Sequence, residues 1–170
     1  MRSRILWSLV VFLSTASCAS PPPDDHSPLE GAWRFASLEA VSASGETTLV
    51  PVYENLLLFT ARHYSLAFSR GDSPSPAYVD AWNPTQDEAA ARMTAIVVNT
   101  GTYETSGSSL TTSPLFALVP SYVGGIAEYE FSISGDTLTL RTVRAVSADG
   151  VILPRIEAGE YNIHKLVRIE

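Results

Sequence analysis

Apolar and polar residues alternate along several short segments of the chain. The odd-numbered positions from Ala127 to Ile133 are apolar or aromatic, whereas the even-numbered positions between them are Glu or Ser. Alternation with a period of two is typical of a strand that buries one face and exposes the other. A turn at Ser134–Asp136 separates this segment from Thr137–Leu140, which alternates in the same way. The pattern predicts a β-hairpin over Ile126–Val146.

Turn sequences recur at short intervals through the rest of the chain. Each contains glycine beside Ser, Asp or Arg, and each separates two runs that are rich in apolar residues. Their spacing predicts an antiparallel all-β fold, either a sandwich or a barrel. These turns are Ser44–Gly45, Arg70–Asp72, Ser106–Gly107, Ser134–Asp136 and Asp149–Gly150.

One helix interrupts the strands. Asn83 and Pro84 break the preceding segment, and Thr85 and Glu88 have the spacing of a capping box, in which each side chain accepts the other's main-chain N–H. The residues Ala89–Met93 are mostly strong helix formers. The helix has two plausible roles, a plug or lid over one end of a barrel and a surface crossover between two strands.

The N-terminus has the features of an export signal. Two arginines, Arg2 and Arg4, precede an apolar run at Ile5–Leu13 that is too short to cross a bilayer. The segment Leu13–Cys18 resembles a bacterial lipoprotein signal, which implies that Cys18 is acylated, by palmitate for example, and becomes the mature N-terminus. Ordinary signal cleavage near Ala19 is the alternative. The proline-rich residues 18–28 then form an extended spacer, so we expect a signal peptide over 1–17 and one domain over 29–170.

Composition excludes several classes of protein. Cys18 is the only cysteine, so no intrachain disulfide can form. The formal net charge is -7 and no segment interleaves basic with aromatic residues, which argues against nucleic-acid binding. The three histidines are scattered, and no metal, phosphate-loop or dinucleotide motif occurs. We therefore expect no metal and no cofactor.

Four segments together resemble a known family. They are Leu29–Phe35, with its Gly-x-Trp, Leu57–Ser65, Asn99–Glu104 and Gly135–Leu140. Their order and spacing are similar to those of the bacterial lipocalin-like domain family, over nearly all of Leu29–Glu170. The resemblance implies an antiparallel β-barrel of about eight to ten strands with an apolar interior. It also implies closure by Gly31, Trp33 and a basic residue of the last strand, either Lys165 or Arg168. We favour Arg168 because it lies nearer the chain end.

A barrel of this kind would bury a ligand against aromatic side chains. Strand alternation places Arg144 on the same face as Leu138 and Leu140, where its guanidinium would meet the acidic head of an amphiphilic ligand. The alternative is a bulge that turns Arg144 outward and brings Val143 inward. The candidate ligand-binding residues are Trp33, Phe59, Tyr64, Phe68, Tyr129, Phe131 and Arg144.

A catalytic role is the weaker alternative. His63 and Tyr64 could move protons while Arg62 stabilises an oxyanion, as in an isomerase or cyclase. Adjacent residues of a strand point to opposite faces, however, so His63 and Tyr64 share a pocket only if the strand bulges. A structural role for His63 is the simpler expectation, and no catalytic residue is assigned.

The sequence therefore predicts a membrane-anchored lipocalin-like protein that binds a small apolar or amphiphilic molecule in the bacterial envelope. Ala19 follows the cysteine where inner-membrane lipoproteins have aspartate, which favours the periplasmic face of the outer membrane. The anchor would be the sole membrane contact. A side-chain-filled barrel that acts as a structural or protein-interaction module is the main alternative.

Overall fold

The computed structural model describes residues 27–170. The predicted signal peptide over 1–17, the predicted acylation of Cys18 and most of the predicted spacer over 18–28 lie outside the described residues. The strands are β1 Gly31–Val41, β2 Thr47–Leu49, β3 Val52–Phe59, β4 His63–Arg70, β5 Ile96–Ser106, β6 Ser109–Ala117, β7 Ile126–Ser134, β8 Thr137–Val146 and β9 Tyr161–Arg168. The helices are α1 Gln86–Ala95 and α2 Pro154–Glu157, with a 3-10 turn at Pro120–Tyr122.

Eight strands form a closed antiparallel barrel. From β3 to β9 each strand pairs with its neighbour in sequence, and β1 closes the ring by pairing with both β3 and β9. The short strand β2 pairs only with the last residues of β1, where β3 has diverged from it. The prediction of a lipocalin-like all-β barrel with a short helix is confirmed, and α2 adds a second helix of one turn.

The alternating segment and the capping box form the hairpin and the helix that the sequence predicts. The hairpin β7–β8 covers Ile126–Val146. At the start of α1, the Glu88 carboxylate accepts the Thr85 N–H at 2.8 Å and the Thr85 hydroxyl accepts the Glu88 N–H at 3.3 Å. None of the residues of α1 is buried, so this helix is a surface crossover between β4 and β5 and not a plug.

The two ends of the barrel differ in their connections and in their packing. The short-turn end carries the turns at 60–62, 107–108 and 135–136. The long-loop end carries the connections at 71–95, 118–125 and 147–160. Large side chains fill the interior toward the short-turn end, where they form the core. The core comprises Leu29, Trp33, Leu57, Phe59, Tyr64, Tyr103, Leu110, Leu138, Leu140 and Leu166.

Closure at the short-turn end depends on Trp33. Its ring is fully buried, and its indole N–H donates to the carbonyl of Leu29 at 2.8 Å. The guanidinium of Arg168 lies 4.1 Å from the centre of that ring and donates to the carbonyls of Pro28 and Glu30. Gly31 has φ +127°, and a Cβ there would lie 2.3 Å from the carbonyl oxygen of Glu170. Glycine at this position therefore lets the last residues cross the barrel end.

Lys165, the other basic residue considered for closure, faces outward. Its ammonium group pairs with the Glu39 carboxylate at 2.9 Å on the barrel surface. The bulge in β1 between Phe35 and Ser37 leaves Glu39 opposite Ile163, next to Lys165 on the outer face. Arg168 is thus the residue over the Trp33 ring.

We expect Arg168→Ala to lower the free energy of unfolding by about 3 kcal/mol, measured by urea denaturation. The substitution removes a partly desolvated cation–π contact together with hydrogen bonds from a charged donor. Lys165→Ala is the matched control and should cost less than about 1 kcal/mol, since it breaks an exposed ion pair. Equal losses in the two variants would contradict the role given to Arg168.

Candidate functional site

A cavity of about 320 Å³ lies at the long-loop end. It is half open to solvent and is bounded by the connection that contains the 3-10 turn, by the end of β8 and by the connection from β8 to α2. Its wall is mostly apolar. The lining residues are Val119, Ser121, Tyr122, Ala145, Val146, Ser147, Asp149, Val151, Ile152, Leu153 and Pro154. Its volume is at the lower end of the range found for small-molecule sites.

Small side chains lie on the inner face of the barrel at this end. The strand registers place four alanines on the inner face of β1, β6, β7 and β8 near the long-loop end. They are Ala40, Ala117, Ala127 and Ala145. Alanine fills little of the barrel's cross-section, whereas the opposite end is filled by Trp, Phe, Tyr and Leu. Of these four alanines, Ala145 lines the cavity.

Polar groups lie among the apolar side chains of the barrel interior. Tyr64 donates its hydroxyl hydrogen bond to the Asn99 side-chain oxygen, and the Thr112 hydroxyl donates to the carbonyl of Ala127 at 3.2 Å. Burial raises the pKa of Tyr64 to about 12, and the Thr112 hydroxyl opposes only part of that shift. Burial likewise raises the pKa of Tyr129 far above its usual range. Both tyrosines are therefore neutral hydrogen-bonding groups at physiological pH.

His164 is the buried histidine of β9. Its ring lies between Phe35 and Tyr129, with ring centres 5.6 and 6.2 Å away. Burial, helped by the nearby positive charge of Arg155, lowers the pKa of His164 to about 4. The imidazole is consequently uncharged near neutral pH and adds no positive charge to the interior.

Arg155 of α2 points toward the barrel. One of its terminal nitrogens, Nη2, donates to the side-chain oxygen of Asn162 at 2.6 Å. Asn162 is opposite Ala40 in the β1–β9 ladder, two residues from His164, and shares the inner face with both. Arg155 also lies close enough to Tyr122 for its charge to favour the ionised hydroxyl, although burial is the larger effect and raises the pKa of Tyr122.

The six predicted aromatic ligand residues all face inward, at different depths. Trp33 and Phe59 are buried in the core at the short-turn end, and Tyr64 packs beside Phe59 with ring centres 6.5 Å apart. Phe68 lies nearer the long-loop end, and its ring centre is 5.2 Å from that of Phe35. Tyr129 and Phe131 keep partly accessible surface next to the core. None of the six lines the cavity at the long-loop end.

The prediction that Arg144 faces the interior is wrong. The β7–β8 ladder shifts register between Glu128 and Tyr129, which leaves Val143 as an extra residue in β8. This bulge reverses the alternation, so Arg144 is exposed and lies 3.9 Å from the Glu128 carboxylate on the outer face. Val143 also stays outside, with 43% of its surface exposed.

His63 is exposed at the start of β4, next to the short turn at 60–62. Its main-chain N–H donates to the Thr60 hydroxyl at 3.1 Å. Tyr64 points the other way, into the core. The pair that a catalytic role would need does not converge. Within residues 27–170, no cluster of three His, Cys, Asp or Glu side chains could hold a metal ion, and no helix is long and apolar enough to cross a membrane.

Comparison with known families agrees with this architecture. The sequence profile described as a lipocalin-like domain matches residues 30–150, which is most of the chain. The chain belongs to the lipocalin-like domain family. No curated protein and no solved structure matches it.

Sequence reasoning missed the residues of this lipocalin-like domain that surround the cavity. Leu153 and Pro154, which line the cavity, and Arg155, which follows them, belong to the connection between β8 and β9, where strand alternation gives no information about direction. One signal was present: Arg155 is a single cation between the apolar residues Leu153 and Ile156, directly after a proline that can begin a helix. A cation in such a position can reach from a short helix into the fold.

The depressed pKa of His164 makes the lipocalin-like domain less stable in mild acid. The unfolded histidine binds its proton near pH 6.5 and the folded one near pH 4. Between these values the unfolded state holds more protons, so stability falls as the pH is lowered from 6.5 to 4, by up to roughly 3 kcal/mol.

We expect His164→Gln to flatten the dependence of the unfolding free energy on pH between 6.5 and 5, above the range in which most carboxylates titrate. His63→Gln removes an exposed histidine and should keep the wild-type slope. Urea denaturation at a series of pH values measures both. An unchanged slope in the His164 variant would show that another group causes the acid sensitivity.

Proposed function

We propose that this lipocalin-like domain holds a small apolar or amphiphilic molecule at its long-loop end. The observation that carries the proposal is the contrast between the two ends of the barrel: large side chains fill one end, and a mostly apolar cavity, lined in part by Ala145, lies at the other. A barrel that served only as a rigid module would gain stability from larger side chains at those positions. Fold alone does not determine function, so the proposal depends on this site.

We further propose that the protein is exported and anchored by acylated Cys18 to the bacterial envelope, at the periplasmic face of the outer membrane. The support is the basic, apolar and small-residue order of residues 1–18, with Ala19 after the cysteine. The spacer up to residue 28 would then separate the barrel from the membrane. An anchored binding protein would take its ligand from the membrane surface or from the periplasm.

One surface feature favours a protein-interaction module as the second candidate. Leu115 and Phe116 of β6 are 65% and 61% exposed. They lie near the end of β6 where β7 has diverged, since the β6–β7 ladder ends at Thr112. Exposed apolar residues in a contiguous patch are typical of interaction sites. The ligand measurements below separate this candidate from small-molecule binding.

Ligand uptake can be measured with N-phenyl-1-naphthylamine, a neutral apolar dye that fluoresces when it leaves water. We expect the full chain to bind it, and Ala145→Met to weaken binding about tenfold, because the longer side chain extends into the cavity. Ser132→Met on the exposed face of β7 is the control and should bind as the wild type does. Native mass spectrometry of chain extracted from its own envelope should also show an added mass that is lost on denaturation.

Two results would overturn small-molecule binding. One is an apo mass combined with no dye uptake by the wild-type chain, which would favour the interaction module. The other is equal dye binding by the wild type and the Ala145 variant, which would place the dye elsewhere. Thermal unfolding of each variant verifies that the barrel is intact.

For the anchor, we expect Cys18→Ala to move the protein from the membrane fraction to the soluble fraction of the cell. Two or more acyl chains provide nearly all the affinity of such a protein for a bilayer. Cell fractionation followed by immunoblotting measures the distribution. Leu115→Ser in the same experiment tests the exposed patch: if that variant is released and the Cys18 variant is not, the anchor proposal is wrong.

A further inference from the structure

Arg155 is a half-buried cation, and one atom of its guanidinium is buried without a hydrogen-bond partner. Its Nε has almost no accessible surface and no hydrogen-bond partner, the one such side-chain atom within residues 27–170. Its Nη2 donates to the Asn162 amide oxygen, which is neutral. None of the ion pairs in the described part of the chain involves Arg155. A guanidinium nitrogen that is buried without an acceptor is unfavourable, and such atoms are uncommon in native structures.

The surroundings of Arg155 connect the cavity with the inner wall. Pro154, its neighbour in α2, lines the cavity, and so does Tyr122, which is within electrostatic reach of the guanidinium. On the other side, Asn162 and His164 belong to the inner face of β9. Arg155 is not itself a lining residue, but it follows Pro154 and lies near Tyr122, between the cavity and the inner face of β9.

We propose that Arg155 binds the anionic head group of an amphiphile, such as a fatty-acid carboxylate, whose apolar part occupies the cavity at the long-loop end. This inference rests on the proposed function and adds the chemical class of the ligand. A carboxylate supplies the acceptor that Nε lacks and the negative charge that the guanidinium lacks. Because Nε has almost no accessible surface, the proposal requires the Arg155 side chain to turn toward the cavity before an anion can reach that atom.

Three features make Arg155 suited to this role. His164, another basic residue of the inner wall, is uncharged near neutral pH, so it does not compete with Arg155 for an anionic head group. Asn162 holds one edge of the guanidinium and limits its orientations. The Tyr122 hydroxyl, being neutral, can donate a further hydrogen bond to an anion. Arg70 also lies near Tyr122 but is exposed and donates to the carbonyl of Thr94 at 3.3 Å.

The test compares ligands that differ only in the head or the tail. Isothermal titration calorimetry on the full chain measures decanoate, decan-1-ol and acetate. We expect decanoate to bind at least tenfold more tightly than decanol, since a charge-assisted hydrogen bond replaces a neutral one. Acetate, which has the head without the tail, should show no binding at the concentrations that saturate with decanoate.

Variants assign the effect to Arg155. In Arg155→Gln, decanoate should lose about tenfold in affinity and approach decanol, while decanol and the neutral naphthylamine dye bind as before. Arg155→Lys should keep part of the preference because it keeps the charge. Arg144→Gln removes an arginine from the outer face and should leave all three ligands unchanged.

The outcomes separate this inference from the proposed function. If the dye and decanol bind but decanoate has no advantage, or keeps it in Arg155→Gln, the head-group role is wrong and apolar binding stands. Acetate binding as tightly as decanoate would replace the amphiphile with a free anion and overturn the inference. If the wild type binds neither the dye nor any of the three ligands, both proposals fall.

Discussion

The pairing of β1 with β9 is the constraint on which the rest of the structure depends. It joins the first strand to the last, so the barrel has no free edge between them and every inner side chain faces a common interior. The Trp33 ring and the Arg168 guanidinium lie beside this seam at the short-turn end, which is where chain termini would otherwise fray. Without a disulfide, side-chain packing and the strand ladders are what hold the barrel closed within residues 27–170.

Closure also determines how bulges can be used. A ring of eight strands fixes the outer and inner faces, and an extra residue in one strand then redirects its neighbours. The bulges at Ala36 in β1 and at Val143 in β8 place Glu39 and Arg144 outside, where each makes an ion pair with a neighbouring strand. Both side chains are thereby kept out of the barrel interior, whereas Arg155 of α2 points toward it and contacts Asn162.

The sequence predicts the strands well because alternation is a local property. The inward row of Tyr64 and Phe68 and the hairpin Ile126–Val146 follow from period two alone, and α1 follows from the spacing of its capping box. Arg144 is misplaced because a bulge is decided by the register of the partner strand, which one sequence segment does not contain. The cavity residues escape prediction for a different reason. Leu153 and Pro154, like the neighbouring Arg155, lie in a connection whose direction depends on how the whole barrel closes.

Arg144 and Arg155 differ in their hydration and in the partners that the fold gives them. An exposed guanidinium with a carboxylate beside it is well hydrated, and its ion pair contributes little. The Arg155 guanidinium, at the rim of the barrel, loses part of its hydration. The fold supplies it with one neutral acceptor, the Asn162 side-chain oxygen, and with no carboxylate. The chain has acidic residues in excess, so a partner for Arg155 would have been easy to supply from within. That none is placed there suits a site whose anion arrives with the ligand.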